Sequence, residues 1–532
     1  MITITGVTKG FSGTTLFRDV NVAFSPGNNY GMTGPNGCGK STLMKILIGA
    51  EETDEGTTSI PKRTGWLRQD HSAFDAYSIL DAVMMGNKAL WDARSEQERL
   101  YAKEDFTDDD GMRLGELEGI VAEEDGYTAE ADAAVLLAGL GIPQDLHHRS
   151  MTEVVAGQKV RVLLAQALFG KPDALLLDEP TNNLDMDSIL WLEAFLVKYM
   201  GALLVISHDR RFLNQVCDRI ADIDYETVIT YTGNYDGMVR QKAQIRGRLE
   251  KQSGVREKKI AQLQEFISRF GAGTRASQTR SRAKQIDKLR PDEVKRSNIA
   301  RPFIRFDCRE RPSGRDVLEI SNLSASYGEN TIFSGFNSFV QRGDKVAILG
   351  RNGIGKTTLI KALLNEENHL SGSVKWGHNT NIGYFGHDHR GTIEPGRTVA
   401  EWLFEQWPDK GQETIRSVLG RMLFSGHDGG KPTATLSGGE AARLVMSKLI
   451  LMEYNVLLLD EPTDHLDLES ISALKDAIEA YQGTVFFVTH DRDLAEAGTR
   501  IWTYPEPGEL VDYQGSLDEY LDWHRQHYQK SA

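Results

Sequence analysis

Two kinds of apolar pattern alternate along the chain, and the same order of patterns runs through it twice. Near the start, Ile2/Ile4, Leu16-Phe17 and Val20–Phe24 follow the two-residue period of half-buried strands. Tyr30–Met32 continues as a strand, and Ser41–Ile48 has the apolar spacing of a helix packed on one face. Other runs do not alternate at all: Ala174–Leu177 and Leu203–Ile206, then Val456–Leu459 and Val485–Val488. Unbroken apolar runs of strand length are what a parallel sheet covered on both faces requires. From about 80 to 130 the pattern is charged and helical (Leu90-Trp91, Leu100-Tyr101, Leu114, Leu117, Ile120), and acidic Asp105–Asp110 reads as a loop between two helices. Past 236 apolar content falls. Helices are expected over roughly 237–270 and 279–298, with Gly271-Ala272-Gly273 as the turn between them.

The repeated order carries a repeated motif. Gly34-Pro35-Asn36-Gly37-Cys38-Gly39-Lys40-Ser41-Thr42 has the spacing G-x-x-x-x-G-K-[ST] between a strand and a helix. Gly350-Arg351-Asn352-Gly353-Ile354-Gly355-Lys356-Thr357-Thr358 has the same spacing in the same setting. Glycines let backbone N–H groups close on phosphate oxygens, the helix aims its positive end there, the lysine reaches the outer phosphates, and the Ser41 or Thr357 hydroxyl is offered to Mg²⁺. Two such loops mark a duplication, with an α/β fold in each half.

The buried-strand runs deliver acids to the ligand end of the sheet. Asp178 and Glu179 end the first, Asp460 and Glu461 the equivalent run of the second half. The aspartates are read as holding Mg²⁺, and the glutamates as polarising the attacking water. About 30 residues beyond each glutamate another apolar strand ends in His208 or His490, each placed to bond a γ-phosphate. Gln69 ends the strand around Gly65-Trp66 and joins the Mg²⁺ set. Phe11 and Tyr327 precede the loops at matching positions, where a ring can stack on adenine. From Lys40 to Asp178 is 138 residues and from Lys356 to Asp460 is 104, so the first half carries a helical hairpin insertion at about 80–130.

With 532 residues the chain can build more than one large core. Its three cysteines include Cys38 inside a phosphate loop, which argues against a disulfide framework and for a reducing compartment. No signal peptide or membrane-spanning apolar run is evident, so a cytoplasmic location is expected. The net charge of −15 hides a contrast: between Arg240 and Arg305, 19 Lys and Arg face 6 Asp and Glu. Arg275, Arg280, Arg282 and Lys284 concentrate it next to the Gly271–Gly273 turn. A segment of one sign at the tip of a helix pair points to nucleic-acid phosphate.

Together the loops, Gln69, Leu436-Ser437-Gly438-Gly439-Glu440, the Leu459–Pro462 block, Thr463-Asp464-His465-Leu466-Asp467 and His490 resemble an ABC ATPase domain. Two such domains in tandem, Glu179–Asp185 and a basic linker resemble the ABC-F proteins, ribosome-associated translation factors, and the ending soon after the second domain is similar to the YbiT-like branch. The resemblance implies ABC ATPase domains at 1–236 and 311–532, a helical linker at 237–310, and an arm at 80–130. It implies a monomer that closes on two ATP, binds near the ribosomal exit site, reaches tRNA with its linker, and opens after hydrolysis. Charge alone does not choose tRNA over ribosomal RNA. A transporter ATPase subunit or a nucleic-acid maintenance ATPase is the alternative, each lacking an expected feature: a membrane partner, or zinc-binding cysteines and long coiled coils.

In the family, the signature Ser437–Glu440 touches the γ-phosphate held by the opposite domain. The first half reads Val154-Val155-Ala156-Gly157-Gln158 at that place, so only Gly157 and Gln158 are carried over. The second half has His387 where Gln69 stands in the first, and Asp464 where the family has asparagine. The signature and His387 departures fall on one composite site, that of Lys356, which is expected to be the slower.

Overall fold

A computed structural model describes residues 1–11, 14–68, 70, 73–182, 184–245, 263, 301–308, 312–327, 330–351, 353–366, 370–424 and 426–527. Gln69, Asn352 and the cationic run Arg275, Arg280, Arg282 and Lys284 lie outside the described residues, as does most of the expected linker.

Each half holds a three-stranded antiparallel sheet and a six-stranded, mostly parallel one. In the first half the strands are β1 (Ile2–Phe11), β2 (Thr14–Phe24), β3 (Asn29–Thr33), β4 (Glu55–Ser59), β5 (Thr64–Trp66), β6 (Ala174–Asp178), β7 (Ala202–Ile206), β8 (Arg219–Asp224) and β9 (Thr227–Thr232). Their orders are β2-β1-β4 and β5-β6-β7-β3-β8-β9. The second half repeats this with β10 (Asp316–Tyr327), β11 (Asn330–Gln341), β12 (Lys345–Leu349), β13 (Leu370–Trp376), β14 (Ile382–Phe385), β15 (Val456–Asp460), β16 (Thr484–Val488), β17 (Arg500–Thr503) and β18 (Val511–Gln514). The orders there are β11-β10-β13 and β14-β15-β16-β12-β17-β18.

The unbroken apolar runs are buried on both faces. Leu176 and Leu204 point into one cluster with Ile2, Phe17 and Phe24 of the small sheet, while Leu175, Leu177, Leu203 and Val205 enter another under the helices. The helix Lys40–Leu47 lies between the two sheets and buries Leu43, Ile46 and Leu47 in the first cluster. Lys356–Leu363 does the same with Leu359, Ile360 and Leu363. Both loops are thereby set on a dry, two-sheet support.

The insertion is a helical hairpin, Lys88–Tyr101 and Asp108–Glu123. Asp105–Asp110 is not a loop throughout: Asp108–Asp110 form the first helical turn, with Thr107 as N-cap and Asp110 closing a capping box. Carboxylates are stabilised at that end by the exposed N–H groups and the helix dipole, so an acidic run starts a helix as readily as it makes a loop. Only Leu90, Ala93, Leu117 and Val121 at the base are buried. Further out, polar pairs link the helices: Arg113 with Glu96 at 2.9 Å and Gln97 with Glu118 at 3.0 Å. After β9 a helix at 235–245 leads out of the first half, and Leu517–His527 follows β18 at the matching place in the second.

Candidate nucleotide-binding sites

Both loops end on a glycine that caps the following helix in the left-handed region, Gly39 at φ 101° and Gly355 at φ 114°. A methyl group on Gly39 would lie 3.0 Å from Phe17 Cε1, and one on Gly355 2.0 Å from Ile332 Cγ2. Neither helix has a side-chain cap, so its first N–H groups are available to an anion. Lys40 Nζ donates to the carbonyls of Gly34 and Pro35 at 2.6 and 3.2 Å. Lys356 Nζ donates to Gly350 and Arg351 at 3.1 and 3.2 Å and sits 2.8 Å from His490 Nε2. Ser41, Thr42, Thr357 and Thr358 open the helices behind them. Cys38 is half-buried beside Gly34, and burial raises its thiol; Ile354 takes its place in the second loop.

The acids stand where the buried strands end. Glu179 and Glu461 share a left-handed φ of 49°, an uncommon conformation for a side-chain-bearing residue, held by backbone bonds to Ile206 O and Val488 O at 2.9 and 3.1 Å. The same backbone conformation recurs in both halves. Glu179 Oε2 accepts from the His208 N–H at 3.2 Å, and His208 Nε2 lies 3.4 Å from Oε1. His490 Nε2 lies 3.2 Å from Glu461 Oε1. Burial, with Asp178 adding to it, pushes the Glu179 carboxyl up to about 7. Burial raises Glu461 likewise and lowers Lys356 beside it. The histidines are pushed down by burial, His208 to about 4 and His490 to about 3, so both are neutral acceptors or donors at pH 7.

These residues suit a hard divalent cation. Both carboxylate oxygens of Asp460 are buried without a well-formed hydrogen bond. Burial raises this group, and the Thr357 hydroxyl and the charges of His387 and Lys356 oppose that. Asp178 is raised by burial and eased by the Ser41 hydroxyl and Lys40. A hydroxyl beside an underused carboxylate is the donor set Mg²⁺ takes together with phosphate and water.

Each site is faced by the other half. Asn36 Nδ2 donates to His465 O at 3.3 Å, and a methyl on Gly439 would lie 3.4 Å from the same nitrogen, so the Ser437 helix start abuts the first loop. Ser437 caps that helix, with Glu440 closing the box: Glu440 Oε2 accepts from Ser437 N at 2.8 Å, and Ser437 Oγ from Glu440 N at 3.3 Å. Around the second loop, Arg351 lies 3.7 Å from Asp187, and Asp185 and Arg161 act on His490. Arg161 and Asp185 are themselves paired at 3.3 Å. Gly157 and Gln158 occupy the first turn of Ala156–Leu168, whose N-cap, Val155, makes no side-chain bond. Between the sites, buried Arg492 of the second half pairs with Glu193 and, at 3.6 Å, with Asp209 of the first. Arg211 reaches back to Glu496 and Asp518 at 3.2 and 2.8 Å.

One pairing was missed from sequence. His387 Nδ1 lies 3.5 Å from Asp464 Oδ2. The first half has amides, Gln69 and Asn182, at these two positions. The signal was two amides replaced together by groups of opposite charge. Phe11 is half exposed at the end of β1 with the Lys9 ammonium 4.9 Å from its ring centroid, and Tyr327 ends β10 at the matching place.

The ABC transporter family profile matches residues 17–182 and 333–464, and a second ABC transporter profile matches 221–306. The chain is 45% identical to the probable ATP-binding protein YbiT of Escherichia coli O157:H7, over 98% of this chain and 99% of that one. It is 32% identical to ABC transporter F family member 5 of Arabidopsis thaliana, over 98% of this chain and 77% of the relative. In fold it is similar to the archaeal ribosome recycling factor aABCE1, solved in complex with the ribosomal stalk protein aP1, with a TM-score of 0.63, 18% identity and coverage of 98% and 92%.

Proposed function

The chain belongs to the ABC-F family, with two ABC ATP-binding domains in tandem, and from that premise we propose that it is a translation factor that hydrolyses ATP to ADP and phosphate and binds the ribosome while its halves are closed. The observation that carries this is the contact of the first loop, through Asn36, with the Ser437–Glu440 helix start of the other half. A nucleotide held by one loop and touched by the opposite signature stabilises closure, and loss of its γ-phosphate removes contacts made only in the closed state.

In this reading Lys40 and Lys356 turn from loop carbonyls to phosphate oxygens. Phe11 and Tyr327 carry the adenine. Ser41 and Asp178 in one site, and Thr357 and Asp460 in the other, would hold Mg²⁺, which would supply charge neutralisation at the phosphates. Glu179 and Glu461 accept the proton of the attacking water, for which a carboxylate raised towards neutrality is suited. His208 and His490 orient those glutamates and donate to the γ-phosphate. The boundaries 1–236, 237–310 and 311–532 divide the chain, and the linker, through Arg275, Arg280, Arg282 and Lys284, contacts RNA, peptidyl-site tRNA in particular. Support for the ribosome as partner comes from the 19 bases against 6 acids between Arg240 and Arg305. The fold shared with a ribosome recycling factor adds to it. Among the described residues no helix is long and apolar enough to cross a membrane.

The test is sedimentation of the Glu179→Gln/Glu461→Gln chain through sucrose with ribosomes. Co-migration with ATP and none without it is expected; equal sedimentation in both conditions overturns the reading. Single-turnover cleavage in each single variant tests the inequality of the sites, with the Lys356 site slower.

A further inference from the structure

The helix at 235–245, which leads towards the linker, is tied to the first half by a buried charge cluster. Asp222 and Asp224 of β8 are almost wholly buried, 0% and 1% exposed. Lys242, from the 235–245 helix, pairs with Asp222 and lies 3.4 Å from Asp224. In the second half Thr503 of β17, at the position of Asp222, bonds the Tyr520 hydroxyl at 2.8 Å. The charged latch ties the 235–245 helix to β8 of its own half.

The latch sits against the Lys40 loop. Asp222 Oδ1 accepts from Thr33 Oγ1 at 3.1 Å, one residue before the loop begins. A methyl on Gly34 would lie 2.8 Å from Ile223 O, so β8 packs directly on the loop's first residue. From the opposite half, Glu469 lines the same small cavity as Lys40, His208, Asp222, Tyr235 and Met238, and the charges of Asp222 and Lys242 act on its carboxyl. Lys242 thus pairs with two acids of its own domain, and a third acid, brought in from the other half, faces Asp222 across that cavity. Buried carboxylates hold their place only while paired, so this one ammonium has strong leverage on where the helix seats.

We propose that Lys242 is a positioning residue that couples closure of the two halves over the Lys40 loop to the seating of the helix that enters the linker. Glu469 carries the closure to Lys242, and Lys242 carries it to the helix. The inference rests on the reading that nucleotide closes the halves.

The experiment is hydrogen exchange of the full chain, with and without a non-cleavable ATP analogue and Mg²⁺, following peptides over 235–245. Closure is followed independently by small-angle scattering. In the wild type, closure is expected to slow exchange there about five- to tenfold, the size of one added partly buried charge interaction. Glu469→Gln leaves Lys242 and both aspartates in place, and is expected to close yet lose most of that response. Lys242→Met is expected to lose all of it, and Lys242→Arg to retain it. If the variants close and their 235–245 peptides respond as in the wild type, Lys242 does not couple the two, and the ATP-driven closure stands. If the wild type does not close, the functional reading falls and this inference with it.

Discussion

Replacing Val155 by serine should stabilise the first half. Val155 already has N-cap geometry, φ −71° and ψ 157°, close to the φ −68° and ψ 165° of Ser437. A serine hydroxyl there falls where Ser437 Oγ accepts from the Glu440 N–H. Gln158 stands at the position of Glu440 and can close the same box. Val155 is 68% exposed, so its loss removes little packing. A new side-chain cap of this kind contributes about 1 kcal/mol. For a unit of this size that is about 2–4 °C in the melting transition. Differential scanning calorimetry reads it, and Ser437→Val should lower the second half's transition by a similar amount. An unchanged or lower transition for Val155→Ser would refute the reasoning, since it would mean that the helix start is satisfied by something other than its own cap.

Arg492→Met should oppose closure, because it leaves Glu193 buried and unpaired across the interface, at a cost of about 3–5 kcal/mol; closure by scattering at the wild-type nucleotide concentration would contradict this. In the Glu461→Gln background, kcat/KM should rise with pH through about 7, because the raised Glu179 carboxyl must lose its proton to act as base. A profile flat from about pH 6 to about pH 8 would remove it from that role. A double-mutant cycle of His387→Gln and Asp464→Asn should give a coupling in melting free energy of about 0.2–1 kcal/mol, small because both groups are well exposed; zero coupling would mean that the pair is incidental.

The duplicated architecture was readable from the chain because it rests on local signals. A loop spacing, a run such as Ala174–Leu177 and the acids that end it lie within a few residues of one another, and each occurs twice. The composite pairing of the halves followed from the family resemblance, and the contact of Asn36 with His465 and Gly439 agrees with it. What could not be read depends on tertiary placement. His387 and Asp464 are 77 residues apart in sequence, and only the sheet brings β14 beside β15. Lys242 meets Asp222 because the chain turns back after β9, and no periodicity announces that. The acidic start of Asp108–Glu123 was misread for another reason: carboxylates suit both solvent loops and helix N-termini, and Thr107 was the discriminating residue.

A sulfhydryl in one loop and an aliphatic side chain in the other give the molecule a natural footprinting handle. Alkylation followed by mass spectrometry of the Cys38 peptide reports occupancy of the first pocket alone, since Ile354 is inert, Cys217 is shielded in the core, and half-buried Cys308 is read as a separate peptide. Because burial raises the Cys38 thiol, labelling will be slow at neutral pH and faster in mild alkali. The pace of modification then follows filling and emptying of one compartment, with its twin silent in the same tube.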